Sequence, residues 1–206
     1  MMPTVIVIRI PNEHLDRQHC ETLLHPVIDA RHNHLYLCHG VETKETYIYL
    51  SDSLGEQMTL DTPQSVSADE SADRLAAHVL GHYPDARADL MEVTLDLAGQ
   101  AHGHTPAWHY VVETDVDAEA ENDFNHWYTQ EHMPGLAAVP GTIRTMRLFK
   151  RDGAPRYHAL YLLQNKETFG SAPWLAVRAT DWSSRVRPHF RNTKRTMFTI
   201  IDEGIR

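Results

Sequence analysis

Long apolar runs, a cysteine framework and an excess of basic charge are all missing from this chain of 206 residues, and each absence closes a class of function. No stretch approaches the roughly 20 apolar residues that a membrane-spanning helix needs, and the opening Val5-Ile6-Val7-Ile8 is too short and poorly flanked for a secretory leader. The expectation is a cytoplasmic protein with no membrane partner. Two cysteines, Cys20 and Cys38, lack the dense, even spacing of a disulfide scaffold and read as reduced, partly buried thiols. A formal charge of −9, from 28 acidic and 19 basic side chains, argues against a nucleic-acid partner, because phosphate binding needs a basic face. Also absent are H-E-x-x-H, C-x-x-C, a Gly-rich phosphate loop and G-x-S-x-G, the short patterns that announce metal, phosphate or serine chemistry.

What is present is histidine, fifteen of them. His32 and His34 would point the same way from a strand, and His102 and His104 fall in a glycine-rich stretch, but neither pair has a nearby third ligand. No metal and no cofactor are expected. Charge is patterned as well: Arg185, Arg187, Arg191, Lys194 and Arg195 form a basic stretch, and Glu113, Asp115, Asp117, Glu119, Glu121 and Asp123 an acidic one. Each is either a solvated surface or, for the arginines, an anion site.

Hydrophobic period gives a strand at Thr4 to Ile10, a helix from Asn12 to Ala30, and strands at Leu35 to His39 and Thr46 to Leu50. A capping box at Ser67-Ala68-Asp69-Glu70 opens a second helix with Ala72, Leu75, Ala76, Val79, Leu80 and Tyr83 as its stripe, and Met91 to Leu97 alternates like a half-buried strand. After Gly99 to Pro106, which lacks periodicity, the order repeats. A strand at Trp108 to Thr114 leads to a helix capped by Asp117; strands follow at Thr142 to Phe149 and Tyr157 to Leu163. A helix opened near Ser171 and Pro173, with Leu175, Ala179, Trp182 and Val186 on one face, precedes a last strand at Arg195 to Ile201.

The chain therefore divides into residues 1–99, a linker at 100–107, and residues 108–206, each half in the order β-α-β-β-α-β. That order is the ferredoxin-like unit. An α+β fold is expected in which two tandem units, related by duplication, pack sheet to sheet as an intrachain eight-stranded barrel, with any site in its interior. An outer interface would make a homodimer.

One segment stands out. Phe124, Trp127, Tyr128, Glu131 and His132 recur at i, i+3, i+4, i+7 and i+8, one face of an α-helix, directly before Pro134. The pattern Phe124-x-x-Trp127-Tyr128-x-x-Glu131-His132-x-Pro134, followed by Val139-Pro140-Gly141 and a strand carrying Arg144 and Arg147, resembles the dimeric α+β barrel superfamily, especially its EthD-like members. The resemblance covers about residues 108 to 203 and extends to the first half by element order alone. It implies a barrel, points to His132, and leaves the chemistry open. The superfamily includes lactone isomerases, polyketide cyclases, cofactor-free monooxygenases, haem-degrading enzymes and proteins without known activity.

Each candidate residue has two readings. His132 is either a proton-transfer group, since imidazole titrates near neutrality, or a structural residue bonded to a carbonyl before Pro134. Glu131 either orients a partner or holds a proton, or is a surface carboxylate. Trp127 and Tyr128 either wall a pocket or fill the core. Arg147 shares a strand face with Thr145 and Phe149 and would contact an anion if that face is interior; Tyr157 and Tyr161 would line the same cavity. Together they suggest a small-molecule-binding barrel, as an isomerase- or cyclase-type enzyme moving a proton on a small aromatic or lactone-like acid. The alternatives are a non-catalytic ligand-binding or stress-response barrel, and a haem-binding or cofactor-free monooxygenase member.

Overall fold

The computed structural model describes residues 3–28, 34–51 and 68–203. Eight strands occur in it: β1 (Thr4–Pro11), β2 (His34–Gly40), β3 (Glu45–Ser51), β4 (Arg87–Ala98), β5 (Trp108–Val116), β6 (Thr142–Phe149), β7 (Tyr157–Leu163) and β8 (Phe190–Glu203). The helices are α1 (Arg17–Leu24), α2 (Ala68–His82), α3 (Glu121–Trp127), α4 (Met133–Ala137), α5 (Ala172–Arg178) and α6 (Asp181–Val186). Hydrogen bonding orders the strands β1-β3-β2-β8-β5-β7-β6-β4 and closes the order on itself, an α+β fold with an eight-stranded antiparallel barrel. Two compact units compose the chain, Met1–Glu92 with Thr199–Arg206, and Val93–Phe198, so the boundaries fall within β4 and β8.

In the first unit β1 is the central strand, pairing Ile8 with Ile48 of β3 and with Ala88 of β4. Its helix-facing side is aliphatic: Ile6, Ile8, Ile10, Leu37, Ile48 and Leu50 meet Leu23 and Leu24 of α1 and Leu75 and Val79 of α2. Alternating β-branched strand residues against a leucine-rich helical stripe are the usual way to bury one sheet face. The first helix is shorter than its pattern suggested. Asn12 takes φ +64° and turns the chain, and the Asp16 side chain accepts from the His19 N–H at 2.9 Å, so the helix starts there and ends before Pro26. The expected cap at Ser67, and His32 of the His32 and His34 pair, lie outside the described residues. Leu80, expected in the stripe of α2, is exposed. Cys20 and Cys38 are buried and unpaired.

In the second unit β7 is central, pairing Tyr161 with Tyr110 of β5 and with Thr145 of β6. The expected linker is not loose chain: the N–H groups of Gly99, Gln100 and Ala101 donate to Ile143, Ala137 and Thr142 at 2.8–2.9 Å. A Cβ on Gly99 would meet the Thr142 carbonyl oxygen at 2.2 Å, which explains glycine at this close approach. Gly141 closes the turn into β6 at φ +89°. Asp117 does not cap a helix with its side chain. It opens a 3₁₀ turn at Ala118–Ala120, and its carboxylate pairs instead with Arg191 and His189.

The last helix is two helices. Ser171 caps α5 and Thr180 caps α6, the latter accepting from the Ser183 N–H at 3.0 Å. The break rotates the expected face out of register: Trp174 is buried where Leu175 was expected, and Leu175 is exposed. Strand β8 starts five residues earlier than its pattern implied, at Phe190.

Candidate functional site

The helical stripe singled out in the sequence does not run through one regular α-helix. Between α3 and α4, Tyr128–His132 forms a π-helical turn, in which hydrogen bonds close one residue later than in an α-helix. Pro134, lacking an N–H, cannot complete the regular ladder there, and the wider turn absorbs the defect. The consequence is positional. Residues five apart, which an α-helix would splay by 140°, come onto one face, and the His132 ring stacks on Trp127 at 4.1 Å between centroids and 23° between planes.

These side chains meet the helix-facing positions of the sheet. Tyr110 and Val112 of β5 and Tyr161 of β7 join Trp127, Tyr128, His132, Leu136, Trp174 and Phe190 around a cavity of about 30 Å³. That volume admits a water-sized group or two and not a whole aromatic ring, for which ~150 Å³ is adequate. The side chains Arg178, Arg187 and Arg195 complete its lining. The expectation of a site in the barrel interior is thus corrected: the residues gather under the helices of the second unit, because an aromatic helical stripe is buried against the sheet face its own unit supplies. The opposite face of the same strands carries His158 and Glu113, 3.5 Å apart and buried.

Three polar atoms of the cavity wall have no hydrogen-bond partner among the described residues, as do a few buried atoms elsewhere, such as the Thr142 and Thr145 hydroxyls. His132 is 7% exposed, Tyr161 and Trp174 1%, and His132 Nδ1, the Tyr161 hydroxyl and Trp174 Nε1 are buried without a hydrogen-bond partner among the described residues. Leaving such groups unsatisfied costs about 1–3 kcal/mol each, so a site that keeps several of them is built to receive something. Burial, and then the charges of Arg178 and Arg187, push the His132 imidazole down to about 3. It is neutral at neutral pH, with one ring nitrogen able to accept a proton or hydrogen bond. Burial also raises the phenols, Tyr128 to about 12 and Tyr161 well above its ordinary range, so both stay protonated donors.

The other residues proposed from sequence stand behind this wall. Arg147, 4% exposed, donates from Nη2 to Asn125 Oδ1 at 2.6 Å, and its guanidinium lies 4.5–4.8 Å from the ring centres of Phe124, Tyr128 and Tyr157. It is a caged cation that fixes Tyr128 from behind and does not line the cavity. Tyr157, also outside the lining, donates to Glu121, which accepts from Arg156 at 3.1 Å. Glu131 receives the Trp127 indole N–H at 3.1 Å and the Thr180 hydroxyl at 2.6 Å, tying the π-helical turn to the start of α6.

Six wall residues escaped the sequence reading: Tyr110, Val112, Leu136, Trp174, Arg178 and Phe190. Trp174 and Arg178 are four apart on α5, a spacing that places them on one helical face and is visible in the sequence. Tyr110 shares a strand face with Val112. Phe190 had no local signal, since it precedes the recognisable part of β8.

Asp117, Glu119 and His189 bring ligand-type atoms within 4.8 Å of one another. Asp117 is already engaged by Arg191 and His189, which accounts for the grouping without a metal.

No family model matches the chain, and no curated protein matches it. Solved structures do match. A candidate monooxygenase from Fusobacterium nucleatum subsp. nucleatum superimposes with TM-score 0.64 at 8% identity, over 100% of this chain and 95% of that one. An anthrone oxidase-like protein matches at 0.62 and 14% identity, over 98% and 93%. A haem-degrading enzyme from Listeria monocytogenes matches at 0.54 and 8% identity, over 96% of this chain and 99% of that one. At these identities the likeness is one of fold: the described residues have the ferredoxin-like α+β barrel architecture of these neighbours.

Proposed function

We propose that the second unit binds a small organic acid, aromatic or lactone-like, and moves a proton on it without a cofactor. The observation that carries this reading is the set of unpartnered polar atoms, His132 Nδ1 and the Tyr161 hydroxyl, in a cavity walled by aromatic and aliphatic side chains and three arginines. The cavity accepts the reacting oxygen or carbon of the ligand, and the ligand's ring, too large to enter, rests outside on the side of Arg187 and Arg195. His132 is held low by burial and then by the charges of Arg178 and Arg187, and a bound carboxylate that neutralises those arginines raises its basicity so that it takes the proton. Tyr161 donates a hydrogen bond to the oxygen on which negative charge develops, a contact that strengthens as the charge grows. Glu131 acts through Trp127 as a positioning residue, and Arg147 and Tyr157 hold the wall formed by Tyr128. The motif around Phe124 to Pro134 supports placement with the EthD-like members, and the repeated element order supports an ancestral duplication.

A panel of simple lactones and phenolic acids incubated in D₂O and followed by proton NMR tests this. Wild-type protein should exchange or isomerise at least one of them, and His132→Ala should abolish it with the fold retained by circular dichroism. No turnover of any member, or turnover untouched by His132→Ala, overturns the proposal.

The second reading is cofactor-free oxygenation of the same bound acid. It is favoured by the monooxygenase and anthrone oxidase-like names of two structural neighbours. Oxygen consumption during turnover separates the two. Haem is not favoured at this cavity: its volume of about 30 Å³ is far below that of a porphyrin, and the His132 imidazole is stacked on Trp127 at 4.1 Å.

A further inference from the structure

The arginines of the cavity mouth come from three separate elements: Arg178 ends α5, Arg187 follows α6, and Arg195 lies in β8. None of them forms an ion pair among the described residues. Other arginines of the second unit do. Arg185 pairs with Asp123 at 3.0 Å, Arg156 with Glu121 at 3.1 Å, Arg191 with Asp117 and Arg144 with Asp96. Carboxylates are not scarce in a chain with 28 of them and a net charge of −9. Three uncompensated guanidinium groups gathered at one mouth repel one another. Burial and the charges of Arg178 and Arg195 weaken the hold of Arg187 on its proton. Such an arrangement lowers its energy when an anion enters. The unpartnered His132 Nδ1 and Tyr161 hydroxyl, on side chains at least nine-tenths buried, belong to the same cavity and show that its inner end also awaits a polar group.

We infer that the pocket selects organic anions: Arg178, Arg187 and Arg195 hold a carboxylate or enolate at the mouth, while a neutral oxygen of the same molecule reaches His132 and Tyr161. The inference rests on the reading of this cavity as a ligand site and narrows the ligand's charge. It also moves anion recognition from Arg147, whose guanidinium is committed to Asn125 and three rings, to side chains on α5, the turn after α6 and β8. Guanidinium forks suit carboxylates better than lysine would, because two parallel N–H donors match two oxygens.

The test uses the full chain, with the fluorescence of its tryptophans, Trp127 and Trp174 being in the wall, as the readout. Salicylate is the anionic probe, salicylamide its neutral counterpart and inorganic phosphate the small-anion control. Salicylate should bind at least about tenfold more tightly than salicylamide, and Arg178→Ala, Arg187→Ala and Arg195→Ala should each weaken it by roughly tenfold. Arg185→Ala and Arg191→Ala, which remove equal charge from paired positions, should leave it unchanged. Equal binding of salicylate and salicylamide, phosphate binding as tight as salicylate, or equal losses from paired and unpaired arginines would each overturn the inference. The first of these outcomes leaves the ligand site itself intact, whereas no binding of either aromatic probe removes both.

Discussion

The two units share an element order and bury their helices in opposite ways. Beneath α1 and α2 the first unit packs aliphatic side chains, and its polar groups there find backbone partners. The Thr46 hydroxyl accepts from the Leu15 N–H at 2.9 Å and donates to the Glu13 carbonyl at 2.9 Å; His39 and His78 reach the carbonyls of Leu15 and Leu23 at 2.7 and 2.8 Å. Beneath α3 to α6 the second unit packs Tyr110, Phe124, Trp127, Tyr128, Tyr157, Tyr161 and Trp174, and leaves the Tyr161 hydroxyl and Trp174 Nε1 without a partner among the described residues. Aliphatic side chains carry no polar atom to satisfy, whereas buried Tyr, Trp and His side chains bring polar tips that each need a partner. One unit is therefore built for stability, and the other gives some of it up where a ligand can make it good.

Substitutions can break that contrast, and the largest effect belongs to the first unit. Leu75→Ala, at a fully buried position of α2, should cost about 2–5 kcal/mol in urea unfolding and leave ligand binding in the surviving folded protein unaltered. Loss of binding at unchanged fold would show that the division of labour is false.

Acid comes next. His109 and His132 both belong to the second unit, and burial pushes each down to about 3, well below the ordinary histidine value of 6.5. Unfolded, they bind protons below about pH 6.5; folded, they do not until about pH 3. Stability therefore falls as pH drops through that window and is recovered above it. The loss should be about 2 kcal/mol per imidazole at pH 5, from 1.36 kcal/mol per unit. Denaturant melts of His132→Gln across pH 5 to 8 should show a shallower slope than wild type, and an unchanged slope would sink this account.

The smallest effects are the sharpest. Tyr157 donates to Glu121, so Tyr157→Phe should cost about 1 kcal/mol, while Tyr161→Phe deletes a hydroxyl with no partner and should be neutral or slightly stabilising while weakening the ligand. Matching losses of stability in the two variants would mean that the Tyr161 hydroxyl is already satisfied.

Much of the scaffold is legible from local pattern. Alternation marks β4 and β6, β7 emerges between turn residues, and both β-α-β-β-α-β runs follow from order alone. The errors cluster where one residue changes the local geometry. Asn12 shortens α1, Thr180 divides what reads as one helix, and Pro134 converts a regular stripe into a π-helical turn. Each is a competition that propensity describes poorly: a side-chain cap or a missing N–H against a continuing apolar period. For the site, Trp127, Tyr128, His132 and Tyr161 are visible as an aromatic and polar pattern. Phe190 is not, since it precedes the recognisable part of β8, and Arg178 is marked only by its spacing from Trp174, which does not tell a cavity-facing side chain from a solvated one.

Sequence by itself determines which elements form and which faces they must bury, because period, caps and glycine positions act within a few residues. It also assigns the aromatic and histidine-bearing stripe to the second unit. Tertiary structure alone decides what those faces enclose. It turns Arg147 into a caged strut and gathers Arg178, Arg187 and Arg195 from three elements without counterions. It also leaves His132 Nδ1 and the Tyr161 hydroxyl without partners. Those properties depend on distances between residues far apart in the chain, and whether a buried group is satisfied is settled only when every neighbour has taken its place.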